Sequence, residues 1–349
     1  MRALLYDSFG DPPRVANVPD PVVPRDGVVV EVKASGLCRS DWHGWQGHDA
    51  DIRTLPHIPG HEFAGVIAAV GPNVRRWRTG ERVTTPFVLG CGRCIYCLAG
   101  DQQVCEKQFQ PGFSGPGSFA EYVALPFADV NLVRLPDEME FVDAAALGCR
   151  FATAFRGIAT QARLRAGEWV AVYGCGGVGL SAVMIARALG AIVIAVDVTD
   201  EKLALAREAG AAHTFNAAAF SDVPEAIRDL TAGGVHVSAD AFGSAVACRN
   251  SILSLRRRGR HVQIGLLLGD QAEPALPMGK VIAHELEIFG SHGMQAHAYP
   301  ELFDLIAAGK LPLDKLIGRR LALDDAGAAL ASLASSPGKG ITVIDRFAA

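Results

Sequence analysis

The sequence lacks a large net charge and any long basic tract, the two features that mark most nucleic-acid-binding proteins. Its 349 residues carry a formal net charge of −4. The only dense basic run, Arg256–Arg258, follows a helical stretch at Val246–Leu255, and we expect it to form a solvated helix end. The composition therefore predicts no nucleic-acid partner.

The sequence also lacks an uninterrupted hydrophobic run of membrane-spanning length. Glycines and Arg187 interrupt its most hydrophobic stretch, Val170–Val196, so this stretch is predicted to form strand, turn, helix and strand. The apolar run within Met1–Tyr6 is too short for a secretion signal and predicts a β-strand. We therefore expect a soluble, cytoplasmic protein without a membrane partner.

The length exceeds the usual size of a single hydrophobic core, which predicts two domains. From Val28 to Asp129, short β-branched runs alternate with Gly and Pro, which indicates a β-rich lobe. After Pro136, helical sequence gives way to alternating apolar strands and helices, the pattern of a doubly wound α/β domain with a parallel sheet. Its strands are predicted at Val170–Tyr173, Ile192–Val196, Val235–Ala241, His261–Gly265 and Leu286–Phe289. The remaining C-terminal stretch, with a helix at Tyr299–Ala308 and a strand at Ile341–Ile344, is expected to rejoin the first lobe.

Four of the eight cysteines have the spacing C-x-x-C-x-x-C-x7-C: Cys91, Cys94, Cys97 and Cys105. Thiolates so close in sequence can hold one zinc ion in a tetrahedral site. Disulfides or unpaired buried cysteines are the alternatives, and the expected reducing compartment disfavours disulfides. A site closed by four thiolates has no open coordination position, so this zinc is expected to be structural.

A glycine-rich G-x-G-x-x-G segment lies between a predicted strand and a predicted helix. It consists of Gly174, Cys175, Gly176, Gly177, Val178 and Gly179. Its glycines permit a tight turn, close approach of a pyrophosphate and close helix packing, while the helix N-terminus attracts phosphate. Asp197 closes the next strand, where it can bind the adenosine ribose and repel the 2′-phosphate of NADP, so NAD is expected. Lys202 is either a further ribose contact or a surface lysine. For the glycine-rich segment as a whole, the alternative is a tight βα turn that binds no cofactor.

Two short segments, 38–43 and 60–62, concentrate reactive side chains near the start of the chain. Together with the four cysteines and the glycine-rich segment, in this order, they resemble the zinc-dependent alcohol dehydrogenases of the medium-chain dehydrogenase/reductase superfamily. The resemblance spans nearly the whole chain. It implies a GroES-like catalytic domain formed by residues 1–150 and 290–349, and a Rossmann NAD-binding domain formed by residues 151–289.

The resemblance also implies a catalytic zinc held by Cys38, His61 and Cys149, with the fourth position open, and hence two zinc ions per subunit. Glu62 would lie near this metal or approach it, and Asp41 would hydrogen-bond the far nitrogen of His61. Cys149 is selected only through the family-like segment 148–153, since a lone cysteine in an Ala-rich stretch is otherwise a small buried residue.

Further roles follow from the same resemblance. Ser40 would pass the proton released by the alcohol through the cofactor ribose to His43, although His43 could equally be a surface residue. Besides Asp197 and Lys202, the expected cofactor contacts outside the glycine-rich segment are Arg39, Thr153 and Leu266. Trp45 and Phe87 would line the alcohol pocket, with core packing as the alternative for each.

These features predict a reversible, NAD-dependent zinc alcohol dehydrogenase that converts a small primary or secondary alcohol to an aldehyde or ketone. A polyol or sugar-alcohol dehydrogenase is the alternative. Such relatives often have a carboxylate in place of the third cysteine ligand, whereas this chain has Cys149 there, which disfavours the alternative. A catalytically silent relative would have lost Cys38, His61 or Ser40. The short segment after Cys105 resembles that of microbial members that assemble as homotetramers, so a tetramer is favoured over a dimer.

Overall fold

The computed structural model describes residues 1–313, 316–333 and 340–348. Within these residues the chain forms two compact units. The first comprises Met1–Ala152, Gly293–Asp304 and Pro312–Ala349, and the second comprises Thr153–His292 and Leu305–Leu311. None of the helices in the described part of the chain is long and apolar enough to cross a membrane.

The first unit is rich in β-structure. Its strands are β1 (Arg2–Leu5), β2 (Arg14–Asn17), β3 (Val28–Leu37), β4 (Glu62–Val70), β5 (Arg82–Thr84), β6 (Tyr122–Leu125), β7 (Val133–Arg134), β14 (Ile317–Ala322) and β15 (Ile341–Arg346). Strands β1 and β2 form a small antiparallel pair. The others form one mixed sheet in the order β14-β15-β3-β4-β5-β7, with β6 also paired to β3.

Strand β3 is central to this unit because it pairs with β4, β6 and β15. Its β-branched residues suit a pleated strand, and most of them are buried in the core of the unit. Gly36 near its end lies opposite Glu62 at the start of β4. The antiparallel register therefore brings Cys38, which follows β3, close to His61, which precedes β4.

Helices and short helical turns connect the strands throughout the chain. The α-helices are α1 (Arg39–Trp45), α2 (Ile95–Leu98), α3 (Ala128–Asn131), α4 (Phe141–Ala145), α5 (Ala152–Phe155), α6 (Gly177–Ala188), α7 (Asp200–Ala209), α8 (Val223–Leu230), α9 (Ala245–Leu253), α10 (Met278–His284), α11 (Tyr299–Ala307) and α12 (Leu323–Ser332). Two π-helical turns, Leu147–Phe151 and Arg156–Gln161, flank α5. Such turns occur often at functional sites, and the first contains Cys149.

The second unit is a doubly wound α/β fold. Its strands are β8 (Trp169–Tyr173), β9 (Ile192–Asp197), β10 (His213–Asn216), β11 (Val235–Asp240), β12 (Leu255–Gln263) and β13 (Glu287–Gly290). All six are parallel and lie in the order β10-β9-β8-β11-β12-β13. This is the Rossmann strand order, in which dinucleotides bind at the carboxyl ends of the strands where the order reverses.

The structure corrects one sequence expectation in this unit and adds one strand. Arg256–Arg258 do not end a helix, because α9 stops at Leu253 and the arginines belong to β12. A register shift between β11 and β12 leaves them outside the regular pairing, so they are exposed. Strand β10 was not predicted, because its polar sequence gives little hydrophobic pattern at this edge of the sheet.

Candidate functional site

Four reactive side chains of the first unit converge at one point. The ligand atoms of Cys38, His61, Glu62 and Cys149 all lie within 4.8 Å of one another. Cys38 follows β3, His61 and Glu62 lie at the start of β4, and Cys149 lies in the π-helical turn Leu147–Phe151. The structure thus brings together the three predicted ligands, although Cys149 is far from the other two in sequence.

Asp41 holds this cluster in place. Its carboxylate accepts hydrogen bonds from the backbone N–H of Cys38 at 2.9 Å, the backbone N–H of Gly60 at 3.1 Å and Nδ1 of His61 at 2.8 Å. The expected bond between Asp41 and His61 is therefore present. Gly60 has a φ of +105°, and a Cβ there would lie 2.7 Å from the backbone nitrogen of Phe119. Only glycine fits this turn, which sets the direction of the His61 ring.

The opposite nitrogen of the His61 ring, Nε2, is available to a ligand. It is buried, and in the described residues it has no hydrogen-bond partner. A buried polar atom without a partner costs free energy of about 1–3 kcal/mol, so such atoms usually bind something. Two cysteines and one histidine are suitable ligands for zinc, and a metal at this point would satisfy Nε2. The cluster therefore fits a zinc ion.

The electrostatics of the cluster also favour a cation. Burial lowers the pKa of His61, but Asp41 and Cys38 outweigh this effect and hold that pKa well above its ordinary value. Contact with Cys149 holds the pKa of Cys38 well below its ordinary value, and the same contact, aided by burial, raises the pKa of Cys149. Cys38 is thus the more readily ionised of the two thiols, and a divalent cation would favour loss of the protons from both.

Glu62 forms a buried ion pair with Arg150. Its Oε1 accepts hydrogen bonds from the backbone nitrogen and from Nε of Arg150, each at 3.1 Å, and its Oε2 accepts one from Nη2. Burial raises the pKa of the Glu62 carboxyl, and Arg150 opposes this effect. Gly148 permits the close approach, because a Cβ there would lie 2.9 Å from the Cα of Glu62. Glu62 is therefore near the cluster, but its carboxylate is held by a cation of the chain itself.

The four closely spaced cysteines form a second cluster, in which the four sulfur atoms lie within 4.8 Å of one another. The sulfurs of Cys94 and Cys105 are 3.8 Å apart. Zinc–sulfur bonds of about 2.3 Å in a tetrahedron place the sulfurs about 3.8 Å apart. Backbone N–H groups of Cys91 and Lys107 each donate to the sulfur of Cys105 at 3.3 Å. None of the eight cysteines, all of which are described, forms a disulfide. The donor set and its spacing fit a closed zinc site.

The glycine-rich segment of the second unit follows β8 and leads into α6. Gly174 has a φ of +92°, and a Cβ on Gly179 would lie 1.7 Å from the carbonyl oxygen of Gly174. Gly179 therefore allows the helix to pack against the turn. A Cβ on Gly176 would meet nothing within 4 Å, and Gly177 and Val178 form the first turn of α6. The open space beside Gly176, at a helix N-terminus, fits a pyrophosphate.

Asp197 ends β9 and is tied to the glycine-rich segment. Its Oδ2 accepts a hydrogen bond from the backbone nitrogen of Cys175 at 2.8 Å, and its Oδ1 accepts one from Val198 at 2.8 Å. Nζ of Lys202 lies 3.8 Å from Oδ1. The carboxylate is thus fixed beside the segment, and Lys202 is close enough to share a ligand with it.

The other predicted cofactor residues lie at separate places. Thr153 is buried in α5, and Leu266 is exposed in the loop that follows β12. Arg39 is exposed in the first turn of α1. Their positions do not test whether these residues contact the cofactor, so these contacts stay predictions.

Ser40 and His43 both lie on α1. Oγ of Ser40 is 3.8 Å from the sulfur of Cys38, so the hydroxyl is beside the cluster. Phe87 meets the His61 ring edge-on with 6.0 Å between centroids, consistent with a pocket position. Trp45 instead lies in the hydrophobic core, where its indole nitrogen donates to the carbonyl of Asp11 at 2.6 Å. Its interpretation as a pocket residue is therefore replaced by the packing alternative.

Three residues near the clusters were missed by the sequence analysis. Arg150 pairs with Glu62, His48 contacts His43, and the ring of Phe113 lies 5.0 Å from that of His61. A basic residue directly after a candidate ligand was a signal for Arg150. For Phe113 we find no local signal.

Comparisons with known proteins agree with this geometry. The family model described as the alcohol dehydrogenase GroES-like domain matches residues 24–137, and that described as zinc-binding dehydrogenase matches residues 177–308. The chain is 36% identical to an alcohol dehydrogenase of Geobacillus stearothermophilus, covering 89% of this chain and 90% of that protein. It is 30% identical to an L-threonine 3-dehydrogenase of Streptomyces coelicolor over 99% of both chains.

A solved structure shows the same architecture. It is a putative zinc-binding dehydrogenase from Sinorhizobium meliloti 1021 bound to NADP, with a TM-score of 0.87, 29% identity and coverage of 99% of this chain and 98% of that one. The two curated relatives are thus named for different substrates, and all three relatives are named as dehydrogenases. The two family models match one after the other along the chain, and a relative with 36% identity aligns with 89% of it. The chain therefore belongs to the zinc-dependent alcohol dehydrogenases of the medium-chain dehydrogenase/reductase superfamily.

Proposed function

We propose that the protein oxidises a small primary or secondary alcohol to an aldehyde or ketone, reversibly and with NAD as the hydride acceptor. The observation that carries the proposal is Nε2 of His61, which is buried beside the thiols of Cys38 and Cys149 and has no hydrogen-bond partner among the described residues. These three residues would hold a catalytic zinc. The four-cysteine cluster would hold a second zinc that stabilises its lobe.

Zinc held by these residues would lower the pKa of the alcohol hydroxyl, and NAD bound at the glycine-rich segment would supply the hydride acceptor. The chain then has to hold the reactive groups in place and remove one proton. Asp41 fixes the orientation of His61, and Arg150 neutralises the nearby carboxylate of Glu62. Oγ of Ser40 would accept the hydroxyl proton while it gives up its own proton, which would then leave through His43.

The choice of NAD rests on Asp197. Its carboxylate is buried and fixed at the end of β9, next to the glycine-rich segment. A 2′-phosphate on the adenosine ribose would bring negative charge towards this fixed negative charge. Nζ of Lys202 lies 3.8 Å from the carboxylate and would offset part of this repulsion, and NAD is the proposed cofactor.

The direct test is an alcohol panel with NAD and NADP, followed at the nicotinamide absorbance. The wild-type protein should reduce NAD with at least one small alcohol, and Ser40→Ala should retain its zinc but lose most of this activity. Ser332→Ala, at an exposed position of α12, is the matched serine control and should keep the activity of the wild type. A purified, zinc-loaded protein that oxidises no alcohol would identify a catalytically silent relative.

A polyol is the second candidate substrate because of a cavity in the first unit. The cavity has a volume of about 640 Å³, and polar side chains form much of its wall. These are Asp51, Arg53, Glu106, Gln108 and Gln110. The wall also includes Phe113, which packs beside His61. Several hydroxyl groups could find partners there, so diols and sugar alcohols belong in the panel beside simple alkanols.

We further propose that the enzyme is a cytoplasmic homotetramer. A reducing compartment would keep its eight free cysteines available for metal. Apolar side chains on the second unit, such as Val246 and Ile282, are 69% and 75% exposed, and assembly would cover surface of this kind. Light scattering after size exclusion should give four subunits, and a monomer would contradict the assignment.

A further inference from the structure

Two histidines at the end of α1 form a pair, of which only the first has a role in the proposed reaction. Nδ1 of His43 lies 3.1 Å from Nδ1 of His48. The indole of Trp42 meets both rings edge-on, at centroid distances of 5.0 and 5.9 Å. His43 is half-buried, whereas His48 is exposed. We propose that His48 extends the proton path beyond His43 and delivers the proton to water. This inference rests on the proposed alcohol oxidation.

The local backbone builds this pair. Helix α1 ends in a Schellman motif, in which the N–H of Gly47 bonds to the carbonyl of Gly44 and the N–H of His48 bonds to the carbonyl of His43, both at 3.0 Å. Gly47 has a φ of +76°, the left-handed conformation that this motif needs. The chain therefore turns back on the helix and places His48 over His43.

The geometry of the pair suits proton transfer. At 3.1 Å, one Nδ1 carries the hydrogen and the other accepts it. When His43 donates from Nδ1, its Nε2 has a free lone pair and can accept the proton that comes from Ser40. The Nδ1 proton of His43 then moves to Nδ1 of His48, and the Nε2 proton of His48 passes to water. One proton enters, one leaves and no electrons are transferred. Exchange with water between turnovers restores the starting tautomers.

The charges around the pair favour release. Burial, Arg39 and His48 lower the pKa of His43, and Cys38 partly opposes them. His43 is thus neutral near pH 7 and able to accept a proton. Two adjacent imidazoles resist carrying two positive charges, so the pair takes up no second proton before the first has left. Helix α12 packs against α1 and carries two acidic residues, Asp324, which pairs with Arg2, and Asp325. Asp49 directly follows His48.

The test compares His48→Gln, His43→Ala and the double variant. Glutamine keeps a polar side chain but takes up no proton. Pre-steady-state proton release, measured with an indicator dye, reports the path even where another step limits turnover. His48→Gln should slow this release about 3- to 10-fold at and below neutral pH, and His43→Ala about 10- to 100-fold. The losses should shrink at alkaline pH and be partly recovered by imidazole buffer. The double variant should be no slower than His43→Ala, because both residues lie on one path.

His297→Gln, a change at another exposed histidine of the first unit, is the matched control and should leave the pH profile unchanged. A readout independent of turnover is the titration of His43 by NMR, whose pKa should rise in His48→Gln when the neighbouring imidazole is removed. Unchanged proton release and an unchanged His43 titration in His48→Gln would overturn the proposal. A wild-type protein that oxidises no alcohol would instead overturn the proposed function. The NMR titration would still show whether the His48 ring influences His43.

Discussion

Oδ1 of Asp41 accepts a hydrogen bond from Nδ1 of His61 at 2.8 Å, and both side chains are fully buried. The same carboxylate binds the backbone of Cys38 and of Gly60, so one side chain positions two proposed ligands at once. The bond fixes the proton on Nδ1 and leaves Nε2 as the ligand atom. The geometry of the metal site thus depends on a residue that is not a ligand.

Replacement of Asp41 by Asn should therefore weaken zinc binding at the cluster of Cys38, His61 and Cys149. Loss of such a partner typically lowers metal affinity or activity about 10- to 100-fold. Competition with a chelator measures the affinity, and the four-cysteine site should keep its metal. Asp137→Asn, at an exposed position of the same unit, should bind zinc like the wild type. Equal affinity in Asp41→Asn would show that the carboxylate does not position the ligand.

The purified protein should contain two zinc ions per subunit, and Cys97→Ser should contain one. Loss of the structural metal should also lower the melting temperature, by about 3 °C for a loss of roughly 2 kcal/mol in a chain of this size. Elemental analysis and thermal unfolding provide the two measurements. Cys248→Ala, in the core of the second unit, should retain both metals. A wild-type protein with a single zinc would contradict the assignment of two sites.

The pair of Glu62 and Arg150 should be costly to break. Arg150→Met would leave the buried Glu62 without its cation, and disruption of a buried ion pair in this way costs about 3–5 kcal/mol. Glu62→Gln combined with Arg150→Met removes both charges and should recover much of the loss. Chemical unfolding of the two variants and the wild type gives the three free energies. A double variant as unstable as Arg150→Met would show that lost packing dominates.

Residues that carry a local pattern were the ones that sequence alone could predict. The four cysteines lie within one short segment, and the glycine-rich segment follows an apolar strand, so spacing and context predicted both. Cys149 lies 111 positions after Cys38, and only family resemblance selected it. Its place in the cluster results from the π-helical turn Leu147–Phe151, which no local pattern predicted.

The unpredicted features depend on long-range packing or on turn geometry. Glu62 and Arg150 are 88 positions apart, and neither residue type indicates the other. The register shift that exposes Arg256–Arg258 depends on the neighbouring strand β11. The contact between His43 and His48 is different, because Gly47 just after the helix end was a local signal for a turn that brings them together.

Stability should fall at acidic pH partly through His261. This residue is buried in the second unit, where burial lowers its pKa to about 4. Its ordinary value is 6.5, so between these two values the unfolded chain binds a proton that the folded chain does not. The stability contributed by the neutral form is present above pH 6.5 and is lost as the pH falls towards 4, by up to about 1.4 kcal/mol per pH unit. The unfolding free energy of His261→Gln should therefore change less over this interval than that of the wild type. Parallel curves would show that His261 does not contribute.

Asp197 should determine the cofactor preference. Its carboxylate is fixed by the backbone of Cys175 and Val198, so it cannot turn away from a 2′-phosphate without losing these bonds. Asp197→Ser removes the charge, and the ratio of kcat/KM for NAD over NADP should fall roughly tenfold or more, equivalent to about 1.4 kcal/mol. Asp229→Ser removes one negative charge at an exposed position of α8. It controls for the change in net charge and should leave the ratio unchanged. Because serine also removes two backbone contacts, Asp197→Asn is measured beside it, and both variants should shift the ratio in the same direction. An unchanged ratio in both would show that another residue distinguishes the two cofactors.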